Sequence, residues 1–236
     1  MQRAAAQITT ELRSRRDWLG IPCASPSSKE PPVRILDYAC GTGMITRAFA
    51  PFATHLTGID ISAAMVAEYN HRCSALLASE NPLGASMHAI VGDLCDPAGV
   101  AEALRGEELF GFDMAVVGMG FHHFEHLELS LRRLVERVKR GGVVVVVDGQ
   151  GHEHGKSSDH NHGSEESSAN DMDSVFAAAA PFVPHQHGFS RAGMETLFTA
   201  AGCTDFDFLV MAEPILFGDG ENPARMRGFI AKGRRA

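Results

Sequence analysis

Three aspartates each end a short apolar run, and a glycine-containing loop follows the first of them. Asp37 is followed by Gly41 and Gly43, whereas Asp60 and Asp93 end the next two runs. Glycines let the backbone approach a ligand closely, and the amides that open a helix point at whatever anionic group lies there. Asp37 is placed to hold a cationic amino group. Asp60, 19 residues after Gly41, is placed to accept hydrogen bonds from both hydroxyls of a ribose.

Two other interpretations of these residues stay open at this level. A dinucleotide would suit such a loop, but its usual fingerprint needs a third glycine where this chain has Thr46, which weakens the pyrophosphate interpretation. Asp60 and Asp93, taken singly, could merely cap the helices that follow them, as Ser62 is expected to do. Taken together and in order, the three carboxylates favour a pocket at one edge of a sheet.

The stretch LDYACGTG at 36–43 resembles motif I of the class I S-adenosylmethionine (SAM)-dependent methyltransferases. From about Val33 to Lys232 the chain is similar to fungal small-molecule methyltransferases related to the ubiquinone/menaquinone-biosynthesis group, with Ala39 where that family usually has its first glycine. The resemblance implies SAM as the cofactor, and an aspartate at position 93 that contacts the adenine amino group. The cofactor-binding residues that it implies are Asp37, Ala39, Gly41, Gly43, Asp60, Ile61, Asp93, Leu94, Gly118 and Met119.

Histidines occur in pairs where the resemblance places the acceptor. The stretch 112–123 resembles the family's fourth motif, which implies a strand end beside the transferable methyl, and His122 or His123 opens the loop that follows. A second pair, His185 and His187, precedes a predicted helix. Histidine is well matched to taking a proton near neutral pH, so His123, His185 and His187 are candidate general bases. The alternative is that these side chains hydrogen-bond the backbone and only hold their loops.

The elements that must position these residues alternate along the chain. Such alternation is typical of an α/β fold with a parallel sheet and crossover helices. The resemblance implies a Rossmann-like, mostly parallel seven-stranded sheet with helices on both faces and a last strand pair that includes an antiparallel strand. Predicted strands lie near 33–37, 55–59, 87–91, 112–117, 142–148, 204–211 and 226–232. Predicted helices lie near 4–16, 43–50, 62–79, 97–105, 127–138 (closed by Gly141 and Gly142) and 191–201.

Residues 1–236 are interpreted as a single domain because no break in composition divides them. Residues 1–32 form an N-terminal helix and a Pro/Ser-rich connector. Residues 149–170 are predicted to be a flexible histidine-rich loop over the pocket. Two His-x-His pairs in that loop invite a metal interpretation, but no cysteine is near and no histidines are spaced i,i+4, so no metal site is predicted.

Composition limits the classes of binding partner and predicts the cellular location of the protein. The net charge of -8 and the pI near 5.8 disfavour nucleic acid, whose binding face needs an excess of Lys and Arg. The chain is 44% hydrophobic, yet no apolar run reaches the length of a membrane span. Five scattered cysteines without pairing or metal spacing indicate reduced thiols and a cytoplasmic location. A small-molecule substrate follows, and the sequence leaves the oligomeric state open.

These observations together predict SAM-dependent methyl transfer to a small-molecule acceptor. The sulfonium methyl is already activated, so the protein mainly has to align a nucleophile and exclude water. One alternative is a non-catalytic SAM-fold protein with a regulatory or scaffolding role, which Ala39 and the short segment before Ala4 support a little. A second alternative, a nicotinamide oxidoreductase, is disfavoured by Thr46. The acceptor atom, whether O, N, S or C, is not determined by the sequence.

Overall fold

The structure is a computed structural model. It describes residues 2–22, 31–79, 85–151, 185, 187–218, 220 and 222–236, with the side chains of 75–79 excepted. Most of the predicted histidine-rich loop, residues 152–170, therefore lies outside the described residues, as does most of the connector before the first strand. No helix within the described ranges is long and apolar enough to cross a membrane.

Among the described residues, seven strands form one sheet with the order β3-β2-β1-β4-β5-β9-β6. The first five strands pair in parallel, and β9 runs antiparallel to both β5 and β6. The predicted α/β fold, with a mostly parallel seven-stranded sheet and an antiparallel strand in the last pair, is confirmed. The strands of this sheet are β1 (Arg34–Tyr38), β2 (His55–Asp60), β3 (Ser86–Val91), β4 (Phe112–Gly118), β5 (Val138–Gly149), β6 (Cys203–Val210) and β9 (Gly228–Arg235).

Helices cover both faces of this sheet because successive strand residues point in opposite directions. Ile35 of β1 packs in a core with helices α1, α3 and α4, whereas its neighbour Leu36 packs in a second core with α5 and α6. The run Val143–Val147 of β5 is at most 1% exposed, as expected for a strand covered on both faces. The helices are α1 (Gln2–Ser14), α2 (Arg16–Leu19), α3 (Met44–Phe49), α4 (Ala63–Ser79), α5 (Leu127–Arg137) and α6 (Arg191–Ala200).

Two local predictions were wrong. In place of a helix near 97–105, the chain forms two single 3-10 turns, Glu102–Leu104 and Glu107–Leu109. Gly99, with a φ of 123°, stops any regular helix from starting at Pro97, because this backbone conformation is not helical. Helix α5 ends at Arg137 and β5 begins directly at Val138, so Gly141, with a φ of 72°, lies in a bulge of the strand and does not close the helix.

A short ribbon that the sequence did not predict links β6 to β9 and anchors the N-terminal helix. It consists of β7 (Ile215–Phe217) and β8 (Ala224–Met226). Gln7 of α1 donates to the Pro214 carbonyl at 3.0 Å and accepts from the Leu216 amide at 2.9 Å. Trp18, after α1, donates its indole N–H to Asp207 of β6 at 2.8 Å. These bonds hold the N-terminal segment against the ribbon and against β6 at the edge of the sheet.

Candidate functional site

The carboxyl ends of β1, β2 and β3 lie side by side at one edge of the sheet. The register pairs Asp37 with Gly58 and Asp60 with Val91. Because these strands are parallel, their three terminal aspartates come to the same edge, where ligands bind in open α/β sheets. The edge continues along β4 and β5, where Gly118, the last residue of β4, is in register with Val147 of β5.

A tight loop leaves β1 and opens helix α3. Its residues Ala39, Gly41 and Gly43 have φ values of 54°, 50° and 84°, a conformation that glycine adopts readily and alanine does not. A Cβ at Gly41 would meet no atom within 4 Å, whereas one at Gly43 would come within 3.1 Å of the Tyr69 ring. A side chain at Gly43 would therefore be strained by its φ and crowded by the Tyr69 ring, whereas the space around Gly41 is open to a ligand.

Asp37 is buried at the start of this loop, 1% exposed, and its carboxylate is only half satisfied. Its Oδ2 accepts from the Thr46 amide at 3.0 Å and from the Thr46 hydroxyl at 2.8 Å, and that hydroxyl also contacts Tyr69 OH at 2.7 Å. Its Oδ1 is buried without a hydrogen-bond partner. Burial raises the pKa of Asp37 to about 7, because a carboxylate loses hydration there.

Asp60 ties the loop to the second strand. Its Oδ2 accepts from the Gly41 amide at 2.8 Å, and its Oδ1 accepts from the Ser62 amide at 2.9 Å. The Ser62 hydroxyl in turn accepts from the Met65 amide at 3.3 Å, so the prediction that Ser62 caps α4 is confirmed. Each Asp60 oxygen keeps a further lone pair for a ligand hydroxyl, and the carboxylate is 8% exposed.

Asp93 lies just beyond β3 and is fixed through one oxygen. Its Oδ1 accepts from the Tyr38 hydroxyl at 2.8 Å and from the Cys95 amide at 2.7 Å. Two apolar side chains nearby in the fold are unusually exposed, since Ile61 after β2 is 71% exposed and Val91 at the end of β3 is 52% exposed. A flat apolar ligand group beside a carboxylate matches this combination.

The end of β4 brings backbone close to the same region. Met119 has a φ of 58°, which is uncommon for a residue with a side chain. Its amide donates to the Val147 carbonyl at 2.8 Å. A Cβ at Gly118 would come within 2.2 Å of Ile45 on α3, so only glycine fits between β4 and the helix that the loop opens.

The two histidine pairs meet above β4 and β5. The His185 amide donates to the His122 carbonyl at 3.3 Å, and the rings of His122 and His123 lie 4.2 Å apart. Asp148, fully buried at the end of β5, accepts from His122 Nδ1 at 2.7 Å and from the His122 amide at 3.1 Å. An ionised carboxylate only accepts, so His122 carries its proton on Nδ1. His185 Nε2 is buried without a hydrogen-bond partner.

The structure thus gathers the predicted site residues at one edge, and it adds three that sequence reasoning missed. Thr46 was considered only as a departure from a glycine pattern, yet it holds Asp37. Tyr38 and Asp148 carried no pattern of their own. A polar residue in an otherwise apolar strand is the signal that could have found them. His123 and His187 are exposed, so only His185 of the predicted bases is half-buried.

SAM fits this edge by the chemistry of its donors and acceptors. The partnerless Asp37 Oδ1 suits the ammonium of a methionine moiety, directly or through one water. The lone pairs of Asp60 suit ribose hydroxyls, and the surface of Asp93, Ile61 and Val91 suits an adenine ring. Within the described ranges, no three His, Cys, Asp or Glu side chains come close enough to hold a metal ion.

Comparisons with known proteins agree with this chemistry. A family model described as a methyltransferase domain matches residues 4–206. An uncharacterized methyltransferase of Schizosaccharomyces pombe is 33% identical over 122 residues, which cover 51% of this chain and 40% of the relative. The chain therefore spans less than half the length of this relative.

Solved structures share the fold at low sequence identity. Geranyl diphosphate C-methyltransferase from Streptomyces coelicolor, solved with S-adenosyl-L-homocysteine (SAH), has a TM-score of 0.63 at 13% identity and covers 97% of this chain and 79% of its own. The YcgJ protein of Bacillus subtilis has a TM-score of 0.61 at 13% identity, with 100% and 99% covered. Because the family model spans most of the chain and the edge fits SAM, the protein belongs to the class I SAM-dependent methyltransferases.

Proposed function

We propose that the protein transfers the methyl group of SAM to a small-molecule acceptor. The observation that carries the cofactor assignment is the buried, partnerless oxygen of Asp37 beside an open glycine loop. The net charge of -8 supports a small molecule over nucleic acid. One similar structure contains geranyl diphosphate, a small molecule. We further propose a cytoplasmic location, on the ground of the scattered cysteines.

Each cofactor-contacting residue has a proposed part. Asp37 holds the ammonium, Gly41 and Gly43 with Ala39 shape the loop around the methionine moiety, and the Gly118–Met119 backbone faces the same moiety. Asp60 accepts from the ribose hydroxyls. The adenine ring lies against Ile61 and Val91, with its amino group on Asp93, whereas the side chain of Leu94, also predicted to bind the cofactor, is fully buried in the second core. SAM supplies an activated methyl, and the protein residues align the acceptor and exclude water.

The acceptor lies above the ends of β4 and β5, where the histidines meet. Among them, His122 is supported best as the residue that takes a proton, because the Asp148 carboxylate, 2.7 Å from Nδ1, fixes the tautomer and orientation of the ring. The His185 amide donates to the His122 carbonyl, and His185, His123 and His187 remain candidates. An acceptor that is already an anion needs no base, and these residues would then only shape the pocket.

Substitution of the histidines tests the acceptor side. His122→Gln removes the proton acceptor and should lower turnover by about 100-fold or more with SAH affinity preserved. Asp148→Asn should shift the pH–rate profile because the imidazolium loses its partner. His126→Gln is the matched control, on an exposed histidine that belongs to neither pair. Equal turnover in His122→Gln and the control would contradict the assignment, and loss from His185→Gln or His187→Gln alone would move the base there.

The acceptor class is tested by following label. The protein is incubated with tritiated SAM and a fission-yeast extract. Dialysis after the incubation then separates small molecules from macromolecules. We expect label in the dialysable fraction, dependent on the protein and lost in Asp37→Asn. Label only in the retained protein or RNA would contradict the small-molecule assignment. Wild-type protein that binds neither SAM nor SAH would favour the non-catalytic, scaffolding alternative.

A further inference from the structure

The chain has two tyrosines, and each hydroxyl is bonded into the support of a different strand-end aspartate. Asp37 and Tyr38 are consecutive in β1 and therefore point to opposite faces of the sheet. Asp37 reaches Thr46, whose hydroxyl contacts Tyr69 OH at 2.7 Å. Tyr38 reaches Asp93 on the other face at 2.8 Å. One strand thereby supports both ends of the proposed SAM site.

The Tyr38 side chain is held firmly in place. It is 3% exposed, and its ring packs against Phe124 with ring centroids 5.5 Å apart. Its hydroxyl donates to Asp93 Oδ1 and accepts from the Leu94 amide at 3.2 Å. Burial raises the pKa of Tyr38, and Cys95 and Asp93 raise it further. The hydroxyl therefore keeps its proton and remains a donor to the carboxylate.

We propose that Tyr38 is a positioning residue for purine recognition, which selects adenine over a 6-oxopurine by fixing the Asp93 carboxylate. This inference rests on the proposed SAM site. The Tyr38 hydroxyl and the Cys95 amide both bind Oδ1, so the carboxylate cannot turn and its Oδ2 is the oxygen presented to the purine. A fixed carboxylate accepts from an exocyclic amino group and repels a carbonyl oxygen at the same position.

The test compares binding of SAH with binding of S-inosylhomocysteine, whose purine bears a carbonyl in place of the adenine amino group and a proton on N1. Calorimetric titration gives the ratio of the two dissociation constants. We expect wild type to prefer SAH, and Tyr38→Phe to lower that preference by about fivefold, the equivalent of one hydrogen bond. Tyr69→Phe is the matched control. It should weaken both ligands equally, because Tyr69 supports the end of the site that they share.

A double variant tests whether Tyr38 affects the preference for SAH only through Asp93. Asp93→Asn should abolish the preference, and adding Tyr38→Phe to it should change the ratio by no more than about twofold, because the two residues act as one unit. An unchanged ratio in Tyr38→Phe would overturn the inference while leaving the SAM site intact. Wild-type protein that binds neither ligand would overturn the proposed site and the inference with it.

A measurement on the unaltered protein guards against a variant that fails to fold. Tyrosine is labelled with carbon-13 at Cζ, the ring carbon bonded to the hydroxyl oxygen, so the protein gives one resonance for each of its two tyrosines. The spectrum of Tyr69→Phe shows which resonance belongs to Tyr38. The Tyr38 resonance should differ between the SAH and the S-inosylhomocysteine complexes, since its acceptor Asp93 meets a different group. The Tyr69 resonance should be the same in both. Identical Tyr38 resonances in the two complexes would contradict the inference.

Discussion

The carboxylates that end β1 and β2 lie at the same edge, yet they are satisfied in opposite ways. Asp60 uses both oxygens, each bound to a backbone amide at 2.8 to 2.9 Å. Asp37 uses one oxygen for Thr46 and leaves the other buried without a partner. The structure around Asp60 is complete in itself, whereas the structure around Asp37 lacks one donor.

The difference separates a residue whose carboxylate holds the loop together from one that, in the proposed site, keeps an oxygen for the ligand. An unpaired buried carboxylate oxygen costs free energy until a donor reaches it. The raised pKa of Asp37, about 7, expresses that cost, since the protonated form is favoured in the absence of a cation. Substitutions at the two positions should therefore change the stability of the ligand-free protein in opposite directions while both weaken cofactor binding.

The largest effect is expected from Asp37→Asn. Losing the charge opposite the ammonium should raise the SAH dissociation constant by about 10- to 100-fold. Above pH 7, where Asp37 would be ionised, the neutral amide should raise the free energy of unfolding of the ligand-free protein by about 1–3 kcal/mol. Titration with SAH and urea unfolding of the same preparation measure both. A variant that is both less stable and normal in binding would contradict this account of Asp37.

Asp60→Ala should give the opposite change in stability. It removes the acceptor of the Gly41 and Ser62 amides, so the ligand-free protein should lose about 1–3 kcal/mol of unfolding free energy. SAH binding should weaken by a similar amount because the ribose hydroxyls lose their acceptor. Thermal unfolding with and without SAH separates the two effects. A thermal midpoint equal to that of wild type would show that the two amide bonds do not support the loop.

The smallest effect is expected from Ala39→Gly. Ala39 has a φ of 54°, a conformation that costs a residue with a Cβ about 1–2 kcal/mol and costs glycine little. Glycine loses more backbone entropy on folding, so the net gain in unfolding free energy should be about 0.5–1 kcal/mol. Urea unfolding of the two proteins measures it. A loss of stability would show that the Ala39 methyl, which packs against the second core, makes contacts worth more than the strain.

The sequence predicted the strands, and the edge where the three aspartates meet, because local patterns specify them. Apolar runs that end in an acid or glycine specify strand ends, and parallel pairing then brings Asp37, Asp60 and Asp93 together without further information. The helix expected near 97–105 failed for the converse reason. Its composition suits a helix, but Pro97 and Gly99 interrupt it, and the apolar residues there pack as two single turns.

The supports of the site could not be predicted because they depend on which elements cross. Thr46 and Tyr69 are 23 residues apart and meet only because α3 and α4 pack on the same face. His122 and Asp148, 26 residues apart, meet because β4 and β5 are neighbours in the sheet. No spacing rule within one element relates such pairs. The distinction between a satisfied and an unsatisfied carboxylate therefore appears only in three dimensions.

The most direct test of this account is the proton balance of cofactor binding. The pKa of Asp37 is raised in the folded protein, so its contribution to stability is greatest below the unfolded pKa of 3.8 and is lost as pH rises through about 7. The ammonium of SAH binds the ionised carboxylate, so bound SAH favours the loss of the Asp37 proton. The affinity for SAH should therefore rise with pH between 3.8 and about 7. At about one pH unit below the pKa of Asp37, binding of SAH should release about 0.9 proton for each SAH bound.

Calorimetric titration with SAH in two buffers of different ionisation enthalpy measures the number of protons released on binding. We expect proton release from wild type and its disappearance in Asp37→Asn, with Asp60→Ala still releasing protons, though fewer than wild type, because the Asp60 charge contributes to raising the pKa of Asp37. Binding of SAH to wild type without proton release, or the same release from Asp37→Asn, would contradict the claim that the Asp37 carboxylate waits for the cofactor's ammonium.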